Sequence, residues 1–345
     1  MQKDIHFTKY KPKKNLHHDA SLIFTLLFTV FSCIYAEAQH FTSEEPIHNE
    51  FISNSQDLSL KPSLPEMNKD SVNKRRLRAV IISKAAIFGG TMYGLYNLWY
   101  KDYPQSSFHF HNDNRNWLQV DKVGHGITSY YVGKIGYEAL RWANVDEKAS
   151  VWYGGTLGFI YLLTVESLDG FSAEWGASTG DLLSNAIGSG MFIGQQLLWK
   201  EQRITFKYSF HQTKYADHRP DLFGTSLPEN MLKDYNGQTL WLSANLKSFT
   251  KKHPALPAWL NVAIGYSGEG MTGASANVTE YNGRNIPVYQ RHRQYFLSLD
   301  ADLTKIKTES DFLQSLFNLI GFIKIPFPAL EYNTKGEVDF HWFYF

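Results

Sequence analysis

The sequence predicts an α+β protein: a bundle of about four helices, residues 76–202, followed by an antiparallel β region with barrel-like character, residues 203–345. Three observations carry this. Residues 76–200 hold apolar stretches of helical length. Residues 203–345 alternate apolar and polar side chains over short runs, the period of a strand. Ahead of both lies a basic segment, a short apolar run and an Ala-x-Ala sequence.

The leader comes first. Lys3, Lys9, Lys11, Lys13 and Lys14 precede an apolar run at 21–35, and Ala36-Glu37-Ala38 follows it. Basic, apolar and small-residue segments in that order predict a secretory signal peptide over residues 1–38. The apolar run is short for a membrane span, so an uncleaved anchor is the lesser alternative. Cys33 is the only cysteine, and Val30-Phe31-Ser32-Cys33 loosely resembles a lipoprotein cleavage box. Ala-x-Ala is the cleaner match. Cleavage there removes Cys33 and leaves a mature chain with neither disulfide nor thiolate metal site. The expected address is the cell envelope, in the periplasm or at the outer membrane. Residues 39–75 are polar and aperiodic, and read as a disordered linker.

Four helices are expected over about 76–100, 118–142, 147–168 and 179–199, with an aromatic loop at 107–114. Glycines recur three or four apart, as in Gly133 and Gly136, Gly154 and Gly158, and Gly190 and Gly194. Interior glycine costs a helix about 1 kcal/mol, and close backbone approach is the expected compensation. Charged and polar residues interrupt most of these stretches, so a compact bundle touching a membrane fits as well as full spans.

Alternation marks strands near 203–211, 239–246, 259–266 and 294–303, with turn signals at Asp234-Tyr235-Asn236-Gly237 and Tyr281-Asn282-Gly283. Residues 312–322 read as a short amphipathic helix. The terminal segment 338–345 ends in Phe345 and looks like the last strand of a bacterial outer-membrane barrel. Six or so strands fall short of the smallest such barrels, which have eight. A soluble sheet packed on the helices is the alternative.

A net charge of +1 offers no basic field for nucleic acid. Twenty Tyr and nine Trp suit a membrane interface or a sheet face, so the expected partners are membrane or envelope components. Nothing in the sequence fixes a cofactor, a metal or an oligomeric state.

Polar residues on the apolar helices are the candidate site. Asp121 and His125 are four apart and share a helix face, with Lys122 one step round. Glu166 and Asp169 share another, Asp181 and Asn185 a third. If these faces meet, His125, Glu166, Asp169 and Asp181 can serve as acid–base groups or metal ligands, with Asp121, Lys122 and Asn185 in binding roles. Plain structural roles compete with this. Asp121 can cap the second helix, Ser178 with Asp181 matches a capping box, Asp169-Gly170 can be a turn, and Lys122 can pair with Glu166. His109 and His111 next to Asp113 are weaker additional candidates. No zinc-protease, nucleophile-elbow or phosphate-loop motif accompanies the set.

Asp121-Lys122-x-x-His125, Glu166-x-x-Asp169-Gly170 and Ser178-x-x-Asp181-x-x-x-Asn185-x-x-Gly188, in that order, resemble the YfiM-like family of predicted periplasmic lipoproteins. VanZ-like membrane proteins are more loosely similar. The likeness covers roughly residues 76–200, and the long C-terminal part resembles a version found in Bacteroidota envelope proteins. The resemblance implies an envelope location and a helical core carrying this polar set, and it implies no activity. The chain departs from the lipoprotein pattern, because Cys33 precedes a better peptidase site. Two functions are therefore expected: an outer-membrane-associated scaffold, or an envelope enzyme acting on lipid or cell-wall material. A transporter fits less well, since no inverted repeat is visible.

Overall fold

The computed structural model describes residues 71–101, 103–250 and 255–345. The expected signal peptide and all but the end of the expected linker lie outside these residues. Lys74 and Arg75, read as the end of that linker, instead open helix α1, Lys74–Leu95, whose first turn Asn73 caps by accepting from the Arg76 amide. The helix continues as a π turn over Tyr96–Tyr100.

Helix α2 spans Val120–Trp142 and is the hub of the bundle, packing against α3, α4 and α5. The third expected helix is two, α3 at Glu147–Gly155 and α4 at Leu157–Gly170. The interruption falls at Gly154-Gly155-Thr156, where paired glycines weaken the helix. Helix α5, Thr179–Trp199, completes the group.

Small residues explain how closely these helices approach. A Cβ on Gly158 would stand 2.0 Å from the Ser129 carbonyl oxygen, and one on Gly188 would stand 2.0 Å from that of Gly126. Gly190 and Gly194 depart from expectation: they face open space and join no close packing. Tyr130, Val151, Phe192 and Ile193 form the bundle core together with Phe206 from the first strand.

Six strands form an antiparallel sheet in chain order: β1 Ile204–Phe210, β2 Gln238–Asn245, β3 Leu260–Glu269, β4 His292–Ala301, β5 Phe327–Asn333 and β6 Val338–Tyr344. A small hairpin over 280–285 turns at Asn282 and Gly283, both at positive φ as the Asn-Gly pair requires. Helix α6, Asp311–Ile320, joins β4 to β5. The mixed α+β class expected from the sequence is the one found.

The pleat separates two unlike faces. On one, Phe206, Leu242, Ile264, Leu297, Leu330 and Phe340 lie in a row across all six strands. On the other, Lys207, Trp241, Gly265, Phe296 and Glu331 are neighbours. This second face is the enclosed one. Lys207 on β1 reaches Asp300 on β4 at 2.8 Å with both side chains fully buried, and Ser243 donates to the same carboxylate at 2.6 Å. Trp241, Phe296 and Tyr344 meet from β2, β4 and β6. Contacts between non-adjacent strands require the sheet to curl tightly about its polar side. Gly265 permits this, since a Cβ there would stand 2.7 Å from the Trp241 ring. The outer edge of β1 is taken by the segment before β5, through bonds from Tyr208 N to Phe322 O and from Lys324 N to Tyr208 O. Helix α2 and its neighbours cover the apolar face over β1 and β2, and the start of α2 reaches the end of β3, where a Cβ on Gly268 would stand 3.1 Å from Leu118 and 3.3 Å from Val120. Among the described residues no helix is long and apolar enough to cross a membrane.

Candidate functional site

The site forms where the N-terminal turns of α2 and α5 meet the C-terminal half of α4. Its entry is an unusual backbone run. Trp117, Leu118 and Gln119 all have φ between 49° and 67°, a region that costs a non-glycine residue roughly 1–2 kcal/mol. The surroundings hold that run in place. The Tyr266 hydroxyl donates to Leu118 O, Arg293 donates to Gln119 Oε1 at 2.6 Å, and Trp117 N donates to Ala274 O at 2.9 Å. Asp121 therefore does not cap α2, because Gln119 occupies that position in a left-handed conformation. Asp121 instead accepts from the Tyr235 hydroxyl at 2.8 Å, across from the β half of the chain.

Ser178 caps α5 as its spacing predicts, accepting from the Asp181 amide at 3.1 Å. Its own amide donates to Glu166 Oε2 at 2.9 Å, tying α4 to the start of α5. Its hydroxyl donates to Asp113 Oδ1. Asp113 arrives on the aromatic loop, which runs beside residues 170–177 through bonds from His109 N to Gly170 O and from His111 N to Ala177 O. His109 itself is bound to the Trp175 carbonyl at 2.8 Å, and His111 is exposed. Neither joins the cluster.

Lys122 does not pair with Glu166. Its Nζ lies 2.7 Å from Asp113 Oδ2 and 2.9 Å from each oxygen of Asp181. Burial disfavours the ammonium, but these hydrogen bonds outweigh it and raise its pKa. The same bonds, with that of Ser178, pull Asp113 below its ordinary value against the upward push of burial.

His125 sits beside this pair. Its Nδ1 is 3.3 Å from Asn185 Oδ1 and 3.8 Å from Glu166 Oε1, and its Nε2 is 4.0 Å from Asp121 Oδ1. About a fifth of the imidazole is open, at 19%, whereas the Glu166 side chain is 3% exposed. Burial opposes a charged ring, yet the Asp121, Asp181 and Glu166 carboxylates prevail and raise its pKa. Glu166 is pushed up to about 7 by burial, although the Ser178 amide and His125 pull the other way. Burial likewise raises Asp169 to about 6, with the Tyr100 hydroxyl donating to it at 2.6 Å. Asn185 is fully buried, and its Nδ2 meets no acceptor among the described residues.

The residues expected from the sequence thus come together: Asp121, Lys122, His125, Glu166, Asp181 and Asn185 share one cluster, with Asp169 at its flank. Asp113, Tyr100 and Tyr235 join it without a helical spacing to announce them. Asp121, His125 and Asp181 offer ligand atoms within 4.8 Å of one another, a donor set suited to a divalent cation. Lys122 already occupies the Asp181 oxygens, so a metal there must compete with an internal ammonium. Carboxylates outnumber Lys122 and His125, and burial raises the pKa of Glu166, Asp169 and Asp181. Comparison of the chain with protein-family models, curated proteins and solved structures finds no match.

Proposed function

We propose that this is an exported envelope protein whose helical domain works as an acid–base centre on lipid or cell-wall material, with His125 and Glu166 as its proton-exchanging pair. The observation that carries this reading is the pairing itself. A partly open imidazole stands 3.8 Å from a buried carboxyl whose pKa is about 7. The carboxyl exchanges its proton near neutrality, and the imidazole beside it, raised by the surrounding carboxylates, can share that proton at little cost. Asp121 adds negative charge on the Nε2 side of the ring, Asp181 adds more, and the buried Asn185 amide keeps an unused donor beside them. Lys122 serves as the internal counter-ion that favours the ionised form of Asp113 and offsets part of the upward push of burial on Asp181. The envelope location rests on the expected signal peptide and on the likeness to YfiM-like proteins.

The scaffold reading has its own support. Lys122, Ser178 and Asp113 form a closed hydrogen-bonded set that pins the loop, α2 and α5 together. Glu166→Gln separates the two readings, because it preserves shape and removes the proton. Lipid and glycan fractions from cells carrying this variant, profiled by mass spectrometry beside the wild type, are expected to accumulate an unprocessed species. Unchanged profiles from a folded, normally abundant Glu166→Gln protein would sink the acid–base reading and leave the scaffold. Elemental analysis of the purified wild type tests metal involvement in the same material.

A further inference from the structure

The sheet is inverted relative to one that packs its apolar side inward. Its enclosed face carries Lys207, Asp300, Ser243, Asn261 and Glu331, all buried around Trp241, Ala263, Phe296 and Ala329, while the row of apolar side chains on the other face points outward. Over β3 to β6 the middle of that outer face is open, and the start of α2 reaches the end of β3 at Tyr266 and Gly268. Ile264, Leu297, Leu330 and Phe340 lie in one unbroken row and are each between 46% and 57% exposed. Beyond the row on one side stand Tyr266, Tyr295 and Tyr332, in ring contact with one another. On the other stand Leu299 and the 73%-exposed Trp342. A soluble protein rarely leaves so continuous an apolar surface in water.

We propose that the outer face of β3–β6 is seated among the acyl chains of a phospholipid bilayer. Polar-in and apolar-out alternation is the pattern of strands that face lipid, with aromatic residues towards the ends of the apolar band. β3 and β4 are ten residues each, within the nine to eleven of a membrane strand. Curvature favours lipid over a second copy of the chain. Because Lys207 meets Asp300 and Trp241 meets Tyr344 on the inner side, the outer side is convex. Two convex faces touch over a narrow strip, whereas fluid acyl chains follow the curve. An exposed amphipathic helix also connects two strands of this face. Helix α6 joins β4 to β5 at one end of the strands, none of its residues is buried, and Phe312 and Leu313 are exposed. An amphipathic helix of this kind lies in the headgroup region. This assignment does not depend on the acid–base centre.

Spin labelling of the full chain tests it. With Cys33→Ser as background, Leu297→Cys places a nitroxide on the exposed row and Lys335→Cys places one on the polar β5–β6 turn. Both proteins are reconstituted in phosphatidylethanolamine–phosphatidylglycerol vesicles. The label at 297 is expected to collide several-fold more with oxygen than with a water-soluble nickel chelate, and the label at 335 the reverse. Equal chelate access at the two positions would overturn the proposal. So would a label at 297 shielded from both reagents, since a second copy or the chain's own 21–35 segment would then cover the face. As a second variant, Leu297→Asp with Leu330→Asp changes only exposed positions. Its partition into the same vesicles is expected to fall about tenfold or more, with unchanged circular dichroism in detergent.

Discussion

His125 Nδ1 and Glu166 Oε1 stand 3.8 Å apart, joining α2 to α4 through a pair in which both groups hold their protons to higher pH than usual. Stability therefore depends on pH in a definite sense. Glu166 moves from 4.5 in the unfolded chain to about 7, and Asp169 from 3.8 to about 6, so the folded protein binds more protons between these limits. Stability then falls as pH rises from about 4 to 7. His125 acts in the same direction, because a raised histidine pKa favours the folded state below it. For Glu166 alone the effect is on the order of 3 kcal/mol. Urea midpoints are expected to be higher at pH 5 than at pH 8, and Glu166→Gln should remove most of the difference. Coincident curves for the wild type at both values would contradict it.

Lys122 is the internal counter-ion of the cluster, and its loss should be costly. Lys122→Met leaves Asp113 and Asp181 without their shared ammonium in a nearly closed site. Removing one partner of a buried ion pair costs about 3–5 kcal/mol. Chemical denaturation at pH 7 is expected to show a loss of that size. Protonation of the stranded carboxylates should restore part of it at pH 4.

The sequence exposes this centre wherever helical spacing carries it. Asp121 with His125, and Asp181 with Asn185, share faces because four residues make about one turn, and those faces do converge. Asp113 is harder to read, because its position depends on a loop docking by backbone bonds to residues 170–177. Tyr235 comes from the β half, and no local pattern relates it to Asp121. Pairing preferences also mislead: Lys122 adjoins the helix face that meets Glu166, yet its stem reaches Asp113 and Asp181 instead. Strand β5 is obscured by Pro326 and Pro328, which argue against a strand although this one forms. Which face of the sheet turns inward cannot be read from period two, since alternation is symmetrical until side chains meet across strands.

Glycine spacing gives a paired prediction. Gly188 and Gly190 lie on the same helix, but a methyl on the first meets the Gly126 carbonyl oxygen at 2.0 Å and a methyl on the second meets open space. Gly188→Ala must push α2 and α5 apart and is expected to lower stability by about 2 kcal/mol or more. Gly190→Ala should raise it by up to about 1 kcal/mol through helix propensity. Thermal unfolding of the two variants beside the wild type reads both signs. Equal effects would mean that the interhelical contact at Gly188 is not close.

Lys207 and Asp300 test the curl of the sheet. They sit on β1 and β4, two strands removed from each other, and meet at 2.8 Å with neither side chain exposed. Asp300 also accepts from Ser243, while Lys207 donates to the Ala301 carbonyl at 2.7 Å. Lys207→Met leaves the buried carboxylate with the Ser243 hydroxyl, the Ile325 amide and the more distant Lys324 ammonium at 4.0 Å, and is expected to cost about 3 kcal/mol. Asp300→Asn should cost at least as much, because it strands the buried ammonium groups of both Lys207 and Lys324. The double variant removes the Lys207–Asp300 pair and leaves Lys324, 4.0 Å from Asp300, without its carboxylate in both Asp300 backgrounds, so its loss should still be smaller than the sum of the two by more than about 1 kcal/mol. That coupling requires direct contact across β2 and β3. A flat sheet would hold the side chains too far apart, and additive losses in the double-mutant cycle would show that it does not curl.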